Sequence, residues 1–367
     1  MTQKEILLTP GPTQVPLRIF QAMTQPTLHH RTEAFKKFFI EAKEGVKWLT
    51  RSETDPVFIA GSGTAAMEAS LLNLCKKGDQ IVILAVGKFG ERWIHIAKKL
   101  QIESHVMTAD VGESIDLEAL KAYLESHASV KAVCMQYCET STTVEVPVKE
   151  ICDAVKAIND SIITIVDAVS AIATTPIHLD KQKIDILVSA AHKGLMLPPG
   201  LALIILNEQA WQIVEKNDVP SLYFDLNLER KALKKDTTSW TPAMNHIVAL
   251  AESIKMIKEE GEENVYQRHL DLAATARSAF TKMGLKPMTV KYPSAAVSGI
   301  YMPEGVDAEK VRNQIFSEFK IGLAGGQDEL QGKVIRFGHM GFCSESDLKA
   351  GIDALQKTLG KNNAGKS

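Results

Sequence analysis

Short apolar runs rich in β-branched residues punctuate the first two-thirds of the chain: VFIA (57–60), QIVILA (80–85), KAVCMQ (131–136), IITIVD (162–167), DILVSA (185–190) and LALIIL (201–206). Stretches with helical spacing separate them. Phe35, Phe38, Phe39, Ala42, Val46 and Leu49 share one helical face, and IDLEALKAYLESH and VKEICDAVKAIND are similarly amphipathic. This alternation predicts parallel strands joined by crossover helices, a doubly wound α/β domain. After Pro242 the pattern changes to two long helical stretches, AMNHIVALAESIKMIKEEG and NVYQRHLDLAATARSAFTKMG, then to strands near 295–302 and 333–338. The change predicts a large domain over 21–262 and a smaller α+β domain over 263–367. The tail KNNAGKS is polar and expected to fray. No repeat or low-complexity segment interrupts the pattern.

Composition narrows the partners. The chain has 367 residues, 45% of them hydrophobic, enough for a sizeable core and two domains. Its 42 basic and 44 acidic residues nearly cancel, which argues against a nucleic-acid binder and for small metabolites. Cys75, Cys134, Cys138, Cys152 and Cys343 form an odd set without zinc-type CxxC pairs, so reduced thiols are expected. No apolar run approaches the length of a membrane span, and the start MTQKEILLTPGPTQVP lacks a basic segment followed by an apolar one. Cytoplasmic localisation follows by exclusion.

Three features carry chemistry. GSGTAAMEASLLNL (61–74) follows a predicted strand and opens a helix, so its glycines and small hydroxyl residues would present backbone N–H groups to a phosphate. It matches neither GxGxxG nor a Walker loop, and a tight strand-to-helix turn explains it equally well alone. Asp167 ends IITIVD at the carboxyl edge of the expected sheet, where it would either hold a positive charge on a ligand or cap the next turn. Lys193 stands in SAAHKGLMLPPG between an apolar run and a proline pair. Lysines usually snorkel to solvent, but a buried one tends to lose its proton and become a nucleophile. Together the three meet the needs of pyridoxal phosphate: N–H donors for the phosphate, an anion for the pyridinium nitrogen and an amine for a Schiff base with the aldehyde.

The chain resembles the class V aminotransferases of fold type I, in the branch of alanine–glyoxylate and serine–pyruvate aminotransferases, which includes proteins labelled soluble hydrogenase small subunit. The resemblance rests on LLTPGPTQVP, GSGTAAMEA, GKFGERW, CETSTTVEVP, IVDAVSA, AAHKGLMLPPG, TTSWTPAMN and IRFGHMG, in that order. It implies a mainly parallel large domain and a smaller C-terminal one, with residues 1–20 reaching the active site. It further implies that Lys193 bonds the cofactor, that Asp167 partners the ring nitrogen, and that Ser62, Gly63 and Thr64 hold the phosphate. Phe89 takes the place of the aromatic ring stacked on the pyridine, Thr140 that of the hydroxyl facing its phenolic oxygen. Thr238 and Thr241 lie in the segment that reaches the phosphate of the neighbouring subunit, which implies a homodimer with shared active sites. Arg336 resembles the guanidinium that grips the substrate carboxylate, although a lone strand arginine is ordinarily an ion-pair residue. Gly11 would let backbone approach the bound amino acid; a Pro-rich turn is the alternative. His29, His30 and Arg31 would line the entrance or form a solvated loop.

One position departs from the pattern. His192 stands where alanine–glyoxylate enzymes often have a phosphate-contacting glutamine, and histidine there is also a feature of cysteine desulfurases of the same fold. A desulfurase needs a nucleophilic cysteine on a mobile loop; GLAGGQDELQGK has none, and Cys343 follows Arg336 closely. The resemblance thus implies a ping-pong aminotransferase moving an amino group from alanine or serine, with aspartate possible, to glyoxylate or pyruvate. A desulfurase or lyase and a noncatalytic subunit of a redox complex are the alternatives.

Overall fold

The computed structural model describes residues 5–364, with side chains through residue 360. Seven strands form the larger sheet, in the order Val57–Gly61, Gly200–Leu206, Ile186–Ala190, Ile163–Asp167, Val130–Gln136, Gln80–Ala85, Glu103–Thr108. All six expected runs are strands in it. Neighbours are parallel except around Gly200–Leu206, which runs antiparallel to both of its partners. Only residues 191–199 connect it to the preceding strand, fewer than the dozen or so a parallel crossover requires. The edge strand Glu103–Thr108 was not expected: its face is largely exposed and ESHVMT contains no apolar run. An edge strand needs only one covered side, so its sequence stays polar.

Helices cover the sheet. Glu33–Thr50 begins where the Thr32 hydroxyl accepts from the Phe35 amide, and it buries Phe35, Phe39, Ala42, Val46 and Leu49; Phe38, expected on that face, is only partly covered. The amphipathic stretches expected at 115–127 and 148–160 form Leu117–Ser126 and Val148–Ile158.

A second sheet has the order Ile6–Leu8, Ile321–Gly325, Val334–Gly338, Val297–Tyr301, Lys286–Pro287. Its N-terminal strand pairs in parallel with Ile321–Gly325, so the start of the chain is bound into the C-terminal sheet. Leu8, Phe280, Ile315, Phe337 and Leu355 build a separate apolar cluster around this sheet. The long helices Met244–Glu260 and Glu262–Lys282 link the two halves. The last helix, Glu345–Ala364, continues into the segment expected to fray, and residues 365–367 lie outside the described ones.

Candidate active site

In an open α/β sheet the carboxyl ends of parallel strands face a common crevice. Five strands of the larger sheet end there and release the candidate residues in turn. Val57–Gly61 leads to Ser62, Gln80–Ala85 to Phe89, Val130–Gln136 to Thr140, Ile163–Asp167 ends on Asp167, and Ile186–Ala190 precedes His192 and Lys193.

Ser62 is the N-cap of the helix Gly63–Leu74, yet its side chain makes no capping bond and the first turn holds no acid. The positive end of this helix therefore has neither a capping side chain nor an acid in its own first turn, which suits a bound anion. Gly63 is required by packing, because a Cβ there would lie 2.6 Å from Val169 Cγ2. The Thr64 hydroxyl accepts from Arg92 at 3.2 Å. Arg92 also stacks over the Phe89 ring, 4.7 Å from its centroid.

Lys193 is 5% exposed, and its Nζ donates to Ser170 Oγ at 3.1 Å. The same nitrogen lies 5.2 Å from the centre of the Phe89 ring. Burial pushes the amine down to about 8, against the pull of Cys138, Asp167 and Glu139. Lys193 is thus no snorkelling surface residue; near neutral pH it is still mostly protonated, but about a tenth of it is free amine, far more than for an exposed lysine. Gly11, at φ +112°, packs on its stem, and a Cβ there would overlap Lys193 Cε. Asp167 accepts from the Val169 amide at 2.9 Å, and burial raises its carboxyl to about 6. It remains mostly ionised at pH 7. The His192 ring is held neutral: burial, with a lesser contribution from Lys193, lowers it to about 4, and its buried Nδ1 has no partner.

Arg336 reaches the site from the smaller sheet. Its Nε donates to the Gly325 carbonyl at 2.9 Å and its Nη1 to the Thr140 carbonyl at 2.7 Å, leaving the rest of the guanidinium fork for another acceptor. Thr140 is itself buried.

The structure does not bring every candidate together. Thr238 and Thr241 line a hollow against Phe58, Ile59 and Ala60, and no hydrogen bond among the described residues ties either to Lys193, Asp167 or the helix start at Ser62. Thr238, His30 and Arg31 also line an open cavity of about 570 Å³. His29 is exposed beside them, its ring stacked on His30. Cys343 is buried with its thiol pushed up to about 12, chiefly by desolvation, which removes it as a nucleophile. All five cysteines are free.

Four residues of the site were passed over in the sequence: Ser170, Arg92, Glu139 and Ser141. Each lies inside a quoted motif, but nothing in its spacing announces a contact. Glu139 is wholly buried and accepts from the amides of Phe89, Gly90 and Ser141.

The donor set fits pyridoxal phosphate. An uncapped helix start and the partnerless His192 Nδ1 suit the phosphate end, and a buried carboxylate and a buried amine suit the ring nitrogen and the aldehyde. Fold and site together define a pyridoxal-phosphate-dependent transferase of fold type I. More narrowly, the chain belongs to the aminotransferase class-V family, whose model matches residues 6–338, and it is a transaminase. It is 34% identical over 361 residues to the soluble hydrogenase small subunit of a Synechococcus species, covering 98% of this chain and 94% of that protein. It is 31% identical to the serine–glyoxylate aminotransferase of Methylorubrum extorquens, covering 96% and 90%. The solved structure of an alanine–glyoxylate aminotransferase from Nostoc sp. superposes with a TM-score of 0.93 at 28% identity, covering 98% of this chain and 96% of that one.

Proposed function

We propose that this aminotransferase moves the amino group of a small amino acid, alanine or serine, to glyoxylate or pyruvate in two ping-pong half-reactions, with Lys193 as the catalytic residue. The observation that carries the reading is the buried Lys193 amine, lowered to about 8 by burial and set against Phe89 beside Asp167. When bound, the cofactor supplies an aldehyde and an electron-withdrawing ring. Lys193 would be the residue that bonds the aldehyde, and its free amine would take the proton from the substrate α-carbon and return it, serving as base and then acid. Asp167, ionised, keeps the ring nitrogen protonated. Ser62, Gly63 and Thr64, with neutral His192, hold the phosphate, Phe89 supports the ring face and Thr140 faces the phenolic oxygen. Arg336 takes the substrate carboxylate on its unused N–H groups, while Gly11 lets the N-terminal backbone close over it.

The substrate pair is supported by relatives named for serine–glyoxylate and alanine–glyoxylate transfer. A relative named L-aspartate–glyoxylate aminotransferase keeps aspartate among the donors to be tried. The absence, among the described residues, of a hydrogen bond from Thr238 or Thr241 to Lys193, Asp167 or Ser62 supports a homodimer in which each subunit completes the other's phosphate site. A division into an N-terminal segment, 1–20, a large domain, 21–262, and a small domain, 263–367, is supported by the presence of two apolar clusters, although Leu8 belongs to the second and Val265, Ala296, Val297 and Met340 belong to the first. Free cysteines, and no helix among the described residues long and apolar enough to cross a membrane, support a cytoplasmic setting.

The test is a half-reaction screen. The holoenzyme is mixed with one amino acid at a time and its visible absorbance followed; alanine or serine should convert it to the pyridoxamine form, and glyoxylate or pyruvate should restore it. Release of sulfide from cysteine or of ammonia from serine, with no need for a keto acid, would replace this reading by a desulfurase or lyase.

A further inference from the structure

Helix Lys88–Lys99 carries Phe89 in its first turn, but its N-cap, Gly87, has no side chain to satisfy the first amides. Two residues of another strand ending supply that cap. Glu139 Oε2 accepts from the Phe89 and Gly90 amides at 2.8 and 3.1 Å, and Ser141 Oγ accepts from the Lys88 amide at 3.0 Å. Glu139 Oε1 in turn accepts from the Ser141 amide and hydroxyl at 3.0 and 2.7 Å. Gly87 permits the approach, since a Cβ there would lie 2.6 Å from Glu139 Cγ. Four donors converge on one side chain, an arrangement that suits a carboxylate and that a protonated acid would spoil.

The residue between the two caps faces the smaller sheet. The Thr140 carbonyl accepts from Arg336, and Lys88, next to Phe89, pairs with Asp328 on the loop that precedes the Arg336 strand. The turn 139–141 therefore joins the helix holding the aromatic platform to the arginine that takes the substrate carboxylate. The charged groups acting on Lys193 are Asp167 and Glu139, opposed by Arg336; the Cys138 thiol, pushed up to about 12 by burial, stays neutral, and His192 is adjacent in the chain, so Glu139 is one of its two buried carboxylates.

We propose that Glu139 is a positioning residue of the reaction: its buried carboxylate fixes Phe89 relative to Arg336 and supplies part of the negative field in which the Lys193 amine is protonated. This rests on the assignment of Lys193, Phe89 and Arg336 made above. Glu139 touches neither substrate nor cofactor; it acts through the helix start and through charge.

Glu139→Gln and Glu139→Asp separate the two effects. In protein stripped of cofactor, the pH midpoint of Lys193 acylation is read by peptide mass spectrometry, and cofactor affinity by absorbance titration. Glu139→Gln removes the charge and presents an N–H₂ group to amide donors; its Lys193 midpoint should fall by about one unit and its cofactor Kd rise about tenfold. Glu139→Asp keeps the charge but loses one methylene of reach; its midpoint should match the wild type while its affinity falls. A folded Glu139→Gln protein with an unshifted midpoint overturns the proposal. If that variant does not fold, as thermal melting would show, wild-type affinity in Glu139→Asp overturns it instead. The assignment beneath it fails separately, if Lys193→Ala still forms the covalent absorbance band and turns over. An inert Lys193→Ala beside a wild-type-like Glu139→Gln sinks only the role of Glu139.

Discussion

At Lys193 the functional charge state is set against the stability of the fold. The buried amine titrates near 8 and the unfolded one near 10.5, so between these values the folded chain binds fewer protons than the unfolded. Apoprotein stability should therefore fall as the pH drops from 10.5 to 8 and level off below. Lys193→Met, which fills the same volume without a charge, should stabilise the apoprotein by a few kcal/mol at pH 7 and progressively less as the pH rises through 8 to 10.5. Urea unfolding at several pH values measures the gap; a gap that stays constant with pH, or a less stable Met variant, contradicts the argument. The same variant should lose the visible band and all transamination. The sequence pointed to Lys193 because a lone cation among apolar residues is conspicuous. Ser170 and Glu139 were not conspicuous, since a serine and a glutamate inside motif words differ from thousands of solvated ones only by what folds against them.

Among the elements, the helix Gly63–Leu74 is the one whose start is suited to an anion by its local structure. Its start has no side-chain cap and no acid in the first turn. Ser62→Asp would place an anion there permanently. It should stabilise the apoprotein by about 0.5–1 kcal/mol, the usual worth of an acidic N-cap, and weaken cofactor binding at least tenfold through repulsion of the phosphate. Melting of the apoprotein and absorbance titration check the two halves, and a stabilised variant with undiminished affinity would mean that the phosphate binds elsewhere. The elements themselves were largely legible: six apolar runs gave six strands, and the amphipathic stretches gave helices. Strand direction was not legible. The antiparallel course of Gly200–Leu206 depends on a short connection, and the polar strand Glu103–Thr108 exists because its neighbour offers an edge.

For the whole molecule the decisive matter is how separate parts complete one site. Arg336 arrives from the smaller sheet and is anchored on a carbonyl of the larger domain. Among the described residues, Thr238 and Thr241 make no hydrogen bond to Lys193, Asp167 or Ser62 of their own chain. If they serve a neighbouring subunit, mixing inactive Lys193→Ala dimers with impaired Thr238→Ala dimers under exchange conditions should restore activity. Hybrids carry one site built wholly from intact residues, so recovery should approach about a quarter of the wild-type value, because half the dimers are hybrids and each has one good site of two. Failure to regain activity, or a monomer by light scattering, would assign the two threonines a role within their own subunit.

The sequence by itself offered candidates for the chemistry and the order of their carriers: a helix start with small residues, a carboxylate at a strand end and a lysine after the next strand; the arginine far along the chain entered only through the family resemblance. It did so because period-2 and period-3.6 patterning are local properties, and a strand followed by a crossover helix fixes which end of the strand meets the crevice. Tertiary structure alone decided how strongly Lys193 and Asp167 are desolvated, that the Arg336 fork is half spent on backbone carbonyls, and that Glu139 caps a helix it does not belong to. Those outcomes depend on contacts between residues tens to hundreds of positions apart, where burial and hydrogen-bond geometry, not the identity of a residue, set its charge and reach.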